Sequence, residues 1–122
     1  MTPNDFLLKY EKALESQSWL NIEPLMHSDV CVAFSSGTFK GKQNVQQAFE
    51  KTFALIQDEK YSISNIPWVY SSTETAVCTY HFNWEGIING QHSSGGGRGT
   101  SVLINTSDQW QIITEHLGPH SS

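Results

Sequence analysis

The spacing of hydrophobic residues changes from a helical period to a period of two at about residue 58, and this change sets the fold class. Before it, apolar side chains recur every three or four residues, and after it apolar and polar side chains alternate. The first pattern is typical of helices with one buried face and the second of strands with one buried face. The sequence therefore predicts an α+β fold in which helices pack on one face of a long antiparallel meander.

Three helices are predicted in the first half of the chain. Thr2 suits the N-cap of the first helix, and Pro3 suits its first helical position. The segment "DVCVAFSSGTFKG" predicts two short β segments around a Ser-Ser-Gly turn, between the second and third helices. The apolar stripes of the helices are Phe6, Leu7, Tyr10 and Leu14; Trp19, Ile22, Leu25 and Met26; and Val45, Ala48, Phe49, Thr52, Phe53 and Ile56.

The second half predicts strands joined by tight turns. Pro67 interrupts the alternation and indicates a bulge or an edge position. The dipeptide Asn89-Gly90 is a strong hairpin signal. The segments "RGTSVLIN" and "WQIITEHL" predict two more strands, joined by the turn "TSDQ". In "TAVCTYHFNWEG", alternation predicts that Ala76, Cys78, Tyr80, Phe82 and Trp84 share one face.

Composition excludes several classes of function. The formal net charge is −5 and no run of lysines is present, so the sequence lacks the basic patch of a nucleic-acid-binding protein. No apolar stretch approaches the roughly 20 residues that a membrane span requires. The N-terminal residues do not resemble a signal peptide. We therefore expect a single domain over residues 1–122 in the cytoplasm, with Cys31 and Cys78 reduced.

Neither a metal site nor a cofactor is predicted. Gly118 and Pro119 lie between His116 and His120, so the two histidines cannot share one helical face as metal ligands. The stretch "GGGRGTS" lacks the spacing of a phosphate-binding loop and precedes a predicted strand rather than a helix. We expect no nucleic acid and no membrane as partners.

Three stretches carry a family resemblance: "FLLKYEKALESQSWLNIEPLMHSDVCVAF", "GTFKGKQNVQQAFEKTF" and "RGTSVLINTSDQWQIITEHLG". In order and content they resemble the nuclear transport factor 2-like superfamily, and within it the SnoaL-like group. The resemblance implies a cone-shaped, curved antiparallel sheet wrapped around about three N-terminal helices, with one internal pocket. Members include steroid isomerases, dehydratases, epoxide hydrolases and polyketide cyclases, and also the association domain of a calmodulin-dependent kinase.

The resemblance suggests candidate site residues. Tyr10 stands where steroid isomerases carry an oxyanion-hole tyrosine, but Phe34 is the nearest match to their carboxylate base, which argues against that chemistry. His116 matches the terminal-strand histidine of the family, and a structural role is favoured for it. Its neighbour Glu115 must point to the opposite sheet face, so the two cannot act as a pair. Six aromatic residues lie on elements that would line or back the cone, and we expect two or three of them to border the cavity while the others pack in the core: Trp19, Phe34, Tyr80, Phe82, Trp84 and Trp110.

Arg98 is the only arginine of the chain, and it lies among glycines. Alternation places Arg98 on one face with Thr100, Val102 and Ile104. One interpretation is an anchor that reaches into the pocket and pairs with an acidic ligand, for which a guanidinium suits better than a lysine. The other is a solvated loop residue. We favour the anchor.

The sequence thus predicts a protein that binds a small molecule in an internal, mostly apolar pocket. The family includes lyases, isomerases and hydrolases of small organic or polyketide-like substrates, so catalysis stays open at this point. The alternative function is a non-catalytic association module. Val77, Thr79 and His81 lie on a face of mixed polarity, which predicts a homodimer through the outer face of the sheet.

Overall fold

The computed structural model describes residues 1–64 and 66–119, which form three helices, one 3₁₀ turn and seven strands. The α+β architecture is confirmed. The helical elements are α1 (Pro3–Glu15), α2 (Trp19–Ile22), a 3₁₀ turn (Glu23–Leu25) and α3 (Lys42–Leu55). The strands are β1 (Met26–Phe34), β2 (Gly37–Lys40), β3 (Gln57–Ser64), β4 (Trp68–Ser71), β5 (Thr75–Ile88), β6 (Gln91–Thr106) and β7 (Gln109–Pro119).

The helix α1 begins where its sequence predicts. The Thr2 hydroxyl accepts a hydrogen bond from the Asp5 backbone N–H at 3.1 Å, and the Asp5 carboxylate accepts one from the Thr2 N–H at 3.1 Å. This reciprocal arrangement is a capping box, and Pro3 follows the cap. The buried stripe of α1 includes Phe6 and Tyr10, whose rings stack with centroids 6.4 Å apart.

The other two helices differ in part from the prediction. The helix α2 ends at Ile22, so Leu25 lies in the 3₁₀ turn and Met26 begins β1. In α3, Val45, Ala48 and Phe49 are buried, whereas Thr52 is exposed and Phe53 is half-buried. The predicted stripe is therefore not continuous. Thr52 and Phe53 line a cavity, and Phe53 also packs against the edge of the core.

The seven strands form one open sheet in the order β2-β1-β7-β6-β5-β3, with β4 also paired to β5. Pairing is antiparallel except between β1 and β7, which run parallel, so the sheet is mixed. The helices cover the inner face, where the core contains Phe6, Leu7, Ile22, Val30, Val32, Val45, Cys78, Leu103 and Ile112. Both cysteines are free thiols. Within the described residues, no helix is long and apolar enough to cross a membrane.

Two tight turns set the register of the long hairpins. Asn89 and Gly90 both have positive φ, 52° and 78°, as a primed two-residue turn requires, so the predicted hairpin is confirmed. Ser107 and Asp108 also have positive φ, 53° and 60°, at the turn between β6 and β7. These turns align β5 with β6 and β6 with β7 over nearly their whole length.

Glycines of β6 lie opposite aromatic residues of β5. Tyr80 pairs with Gly99, Phe82 with Gly97 and Trp84 with Gly95. A Cβ atom on Gly99 would collide with the Tyr80 ring, and one on Gly95 would lie 2.8 Å from Nε1 of Trp84. The glycines therefore let the rings lie across β6, which is the close approach that glycine in a strand commonly marks.

Candidate functional site

A cavity of 440 Å³ opens between α3 and the inner face of the sheet. This volume is typical of pockets that hold small organic molecules. Its walls are mainly apolar, and backbone from the glycine-rich part of β6 forms one side. The lining residues are Leu14, Phe34, Ser35, Ser36, Phe49, Thr52, Phe53, Ile56, Glu59, Tyr61, Phe82, Trp84, Gly95, Gly96, Leu117 and Gly118.

Two groups of aromatic rings form much of the wall. On the helix side, Phe49 contacts Phe34 edge-on at a centroid distance of 5.6 Å and Phe53 at 6.0 Å. On the sheet side, Tyr61 and Phe82 stack, with centroids 6.2 Å apart and planes 13° from parallel. Such packing favours flat, apolar ligands, because aromatic rings gain energy from offset or edge-on contacts.

Glu59 supplies the carboxyl group of the cavity. Burial raises its pKa from 4.5 to about 7, and the negative charge of Glu15 acts in the same direction. A weak hydrogen bond from Nε2 of Gln17, at 3.4 Å, opposes the shift. A carboxyl group with this pKa exchanges its proton near neutral pH, as a general acid or base does.

A bulge at the start of β3 accompanies this position of Glu59. The register with β5 shifts between Gln57 and Lys60, and Asp58 has a φ of 52°. Gly86 of β5 makes room for the bulge, because a Cβ atom there would lie 2.5 Å from Cγ2 of Ile56 and 2.9 Å from the Gln57 carbonyl oxygen. Glu59, within the bulge, and Tyr61, after it, share the inner face of the strand.

Tyr61 supplies the second ionisable group among the described lining residues. Burial raises the pKa of its hydroxyl, and the carboxyl groups of Glu115, Glu59 and Glu11 raise it further. The phenol therefore stays protonated and can donate a hydrogen bond. The Tyr61 side chain can contact the same ligand as Glu59, because the two residues are neighbours on one face of β3.

A cluster of polar side chains surrounds Glu115, which is 2% exposed and does not line the cavity. Its Oε2 accepts a hydrogen bond from the Tyr10 hydroxyl at 2.8 Å. Its Oε1 accepts hydrogen bonds from Tyr80 and Ser101, each at 2.9 Å. Burial raises the pKa of Glu115, although these three hydrogen bonds lower it. We call Tyr10, Tyr80, Ser101 and Glu115 the buried carboxyl cluster.

Two of the three donors to Glu115 also lie close to each other. The Tyr80 and Ser101 hydroxyl oxygens are 2.9 Å apart, so these two atoms and Oε1 of Glu115 form a triangle. Each hydroxyl carries one hydrogen, and both hydrogens are donated to Oε1. The carboxyl group is therefore the common acceptor that holds the cluster together.

The structure brings together only part of the residues predicted for the site. Phe34 and Trp84 line the cavity. Tyr10 and Tyr80 lie in the buried carboxyl cluster, so the Tyr10 hydroxyl is engaged by Glu115 rather than by a pocket. Trp19 packs in the core against Phe49, with centroids 6.1 Å apart.

Arg98 and His116 lie on the opposite, outer face of the sheet. Arg98 does share a face with Thr100, as alternation predicts, but both side chains are exposed and neither lines the cavity. His116 is exposed while Glu115 is buried, so the two adjacent residues point to opposite faces as expected. The position of Arg98 on the outer face removes the geometric basis for an anchor inside the pocket.

A bulge in β7 explains the position of His116. Val102 of β6 pairs with Thr114 and Leu103 pairs with Ile112, so Ile113 is an extra residue. Simple alternation from Trp110 and Ile112 would place His116 inside and Glu115 outside. The extra residue reverses the phase, because one inserted position moves every following side chain to the other face.

Sequence reasoning missed Glu59 and Tyr61 as cavity residues and Glu115 as the centre of a cluster. For Glu59 a signal was available, since the alternation of Tyr61 and Ile63 extends back to it. For Glu115 the bulge in β7 hid the signal.

In the described ranges, no group of three metal-ligating side chains is present, and His120 lies outside them.

Comparison with known proteins agrees with this architecture. Residues 4–120 match the model of the SnoaL-like domain family. No functionally curated protein is detectably similar in sequence.

Solved structures with the same fold are numerous. One is a nuclear transport factor 2-like superfamily protein from Salmonella enterica serovar Typhimurium, 13% identical, with a TM-score of 0.88 over 97% of this chain and 88% of that chain. Another is described as a putative aromatic ring hydroxylase from Novosphingobium aromaticivorans, 15% identical, with a TM-score of 0.86 over 98% and 87%.

A third is described as a putative calcium/calmodulin dependent protein kinase II association domain from Xanthomonas campestris, 18% identical, with a TM-score of 0.81 over 93% of this chain and 81% of that chain. At these identities the likeness establishes the fold alone. Together with the family match, it means that the chain belongs to the SnoaL-like domain family and has the nuclear transport factor 2-like cone fold.

Proposed function

We propose that the protein binds a small, flat, largely apolar organic molecule in the cavity between α3 and the sheet. The observation that carries this proposal is a 440 Å³ space walled by stacked and edge-on aromatic rings, in which two of the described lining side chains are ionisable. An apolar pocket with few polar groups is the usual form of a small-molecule site. Glu59 and Tyr61 are ionisable groups that can orient the ligand, and Glu59 can exchange a proton with it; the hydroxyl groups of Ser35, Ser36 and Thr52 are further polar groups of the lining.

A cavity-blocking variant tests this proposal. Thr52 is exposed on α3 and lines the cavity, so Thr52→Trp should fill the space without disturbing the core. The parent should be stabilised by some members of a panel of aromatic acids, alcohols and amines. A compound at about 100 times its Kd should raise the free energy of unfolding by about 2.7 kcal/mol. Thr52→Trp should lose this gain.

Thr73→Trp is the matched control, because Thr73 is exposed in the turn before β5 and does not line the cavity. It should retain the stabilisation by every compound that binds the parent. Equal binding by the parent and by Thr52→Trp would show that ligands bind elsewhere, and the proposal would fail.

A second candidate function is self-association, which one feature of the outer sheet face favours. Tyr70, Val77 and Val102 pair in register across β4, β5 and β6 and form an apolar row. Tyr70 is 57% exposed, and the two valines are half-buried. Burial of this row in a symmetric homodimer would remove apolar surface from water. We propose such a homodimer.

The cytoplasmic location of the protein stays a prediction from its sequence.

The variant Val77→Glu should weaken the homodimer, because it places a charge in the centre of the apolar row. Light scattering at micromolar concentration should give a dimer for the parent and a monomer for Val77→Glu. Leu20→Glu is the control, since Leu20 is an exposed apolar residue on α2, away from the sheet, and this variant should stay dimeric. A monomeric parent would contradict the proposal.

A further inference from the structure

Both ionisable side chains of the described cavity lining are acids, one a carboxylic acid and the other a phenol. Among the described residues that line the cavity, Glu59 and Tyr61 are the titratable side chains, and no lysine, arginine or histidine is present. Arg98 is exposed on the outer face of the sheet and cannot neutralise a ligand inside. When Glu59 is ionised, the cavity therefore holds a negative charge and repels carboxylate ligands.

Glu59 has hydrogen-bonding capacity to spare. An ionised carboxylate has about four acceptor sites. In the part of the chain that the structure describes, the hydrogen bond of this side chain is the 3.4 Å contact from Gln17, and no basic side chain forms an ion pair with it. An ammonium group beside this carboxylate would stabilise its ionised form, because opposite charges attract more strongly at a partly buried site than in water.

The rings around Glu59 suit the same kind of ligand. Tyr61 lies two residues along the same strand face, and its register partner on β5 is Trp84. Ring faces of tryptophan and tyrosine attract ammonium groups through the ring quadrupole. The apolar remainder of the wall, with Phe53 and Phe82, suits an aromatic ring rather than a polar chain.

We propose that the cavity selects an aromatic amine, whose ring lies among the aromatic side chains and whose ammonium group binds the Glu59 carboxylate. This inference rests on the proposed small-molecule function and narrows it to a cationic ligand class. The positive charge of this ligand is opposite to that of the acidic ligand which Arg98, as an anchor in the pocket, would have implied.

Binding should depend on pH through Glu59. Its pKa is raised to about 7, so lowering the pH below this value protonates the carboxyl group and removes the charge that binds an ammonium. The titratable groups that face it are Glu15 of α1 and Tyr61 of β3; α3 and β5 contribute no ionisable side chain to the described lining. Lys60 and Glu85 line a neighbouring shallow cavity with Glu15.

Calorimetric titration with three matched indoles tests the inference: tryptamine, tryptophol and indole-3-acetate. They share a ring and a short side chain but carry a positive, a neutral and a negative group. The parent should bind tryptamine at least about tenfold more tightly than tryptophol, since a charge-assisted hydrogen bond is worth that much. Indole-3-acetate should bind most weakly, and the affinity for tryptamine should fall below pH of about 7.

Glu59→Gln should bind tryptamine and tryptophol equally, without this pH dependence. Glu50→Gln, an equal change at an exposed position of α3, should keep the preference of the parent. Tryptophol binding as tightly as tryptamine, or a preference that survives in Glu59→Gln, would overturn the inference and leave the small-molecule function intact. If no compound of the wider panel binds in the cavity, the proposed function fails and the inference fails with it.

Discussion

Glu115→Ala should lower the free energy of unfolding by about 3–5 kcal/mol, because it removes the common acceptor of three hydroxyl groups. Tyr10, Tyr80 and Ser101 all donate to this carboxyl group, and each of them is almost fully buried. Unsatisfied buried polar groups cost about 1–3 kcal/mol each. Urea denaturation of the parent and the variant measures the difference.

Glu115→Gln is the matched control, and it should cost far less. The amide oxygen can accept from Tyr80 and Ser101, and the amide nitrogen can donate to the Tyr10 oxygen, which then accepts instead of donating. A loss of less than about 1 kcal/mol in Glu115→Ala would show that the hydroxyls find other partners. The account of the buried carboxyl cluster would then be wrong.

The parent and Glu115→Gln should differ in how their free energies of unfolding depend on pH. Since burial raises the pKa of Glu115 above its ordinary value of 4.5, its stabilising contribution is complete below that value and is lost as the pH rises through the folded-state pKa. Glutamine does not titrate, so the parent should lose stability relative to Glu115→Gln as the pH rises. Glu59 is present in both proteins, so its contribution to the pH dependence cancels in the difference between them. A parent that gains relative stability with rising pH would contradict this sign.

Gly97→Ala should be the most damaging change in the glycine-rich part of β6. A Cβ atom there would overlap the Gly118 carbonyl oxygen of β7 and would lie 3.0 Å from Cζ of Phe82. The first obstacle is backbone held in the sheet, which cannot rotate away as a side chain can. We expect a loss of about 3 kcal/mol in the free energy of unfolding, at the upper end of overpacking effects.

Gly118→Ala provides the control across the same strand pair. A Cβ atom at Gly118 meets nothing within 4 Å, so this variant should change the free energy of unfolding by less than about 0.5 kcal/mol. Urea titration measures the free energy of unfolding of both variants. A loss in Gly97→Ala alone indicates the collision with the Gly118 carbonyl oxygen, whereas a loss in both indicates that alanine is poorly tolerated throughout this hairpin. Equal stability of the two variants would contradict the packing described for β5, β6 and β7.

The sequence predicted the elements of the fold well where a local rule decides them. Thr2 and Pro3 begin α1, and Asn89-Gly90 turns the chain between β5 and β6. These signals depend on neighbouring residues only. The parallel pairing of β1 with β7 has no local signal, because it joins strands about 80 residues apart.

The candidate site was harder to predict because bulges decide which side chains face inward. Ile113 shifts the phase of β7, which buries Glu115 and exposes His116. Glu59 lies within the bulge before Lys60, and the charged residues Asp58 and Lys60 on either side of it obscure the alternation that it shares with Tyr61 and Ile63. Phe34 and Trp84 occupy regularly paired positions, opposite Gly37 and Gly95, and both line the cavity. Arg98 was placed on the right strand face, but that face is the outer one.

The most direct test of the account is the crystal structure of the protein soaked with a compound that stabilises it. The account predicts the ligand ring inside the cavity, between the rings of α3 and those of the sheet, with a polar atom within hydrogen-bonding distance of Glu59 or Tyr61. A ligand on the outer face of the sheet beside Arg98 or His116, with the cavity between α3 and the sheet empty, would contradict it.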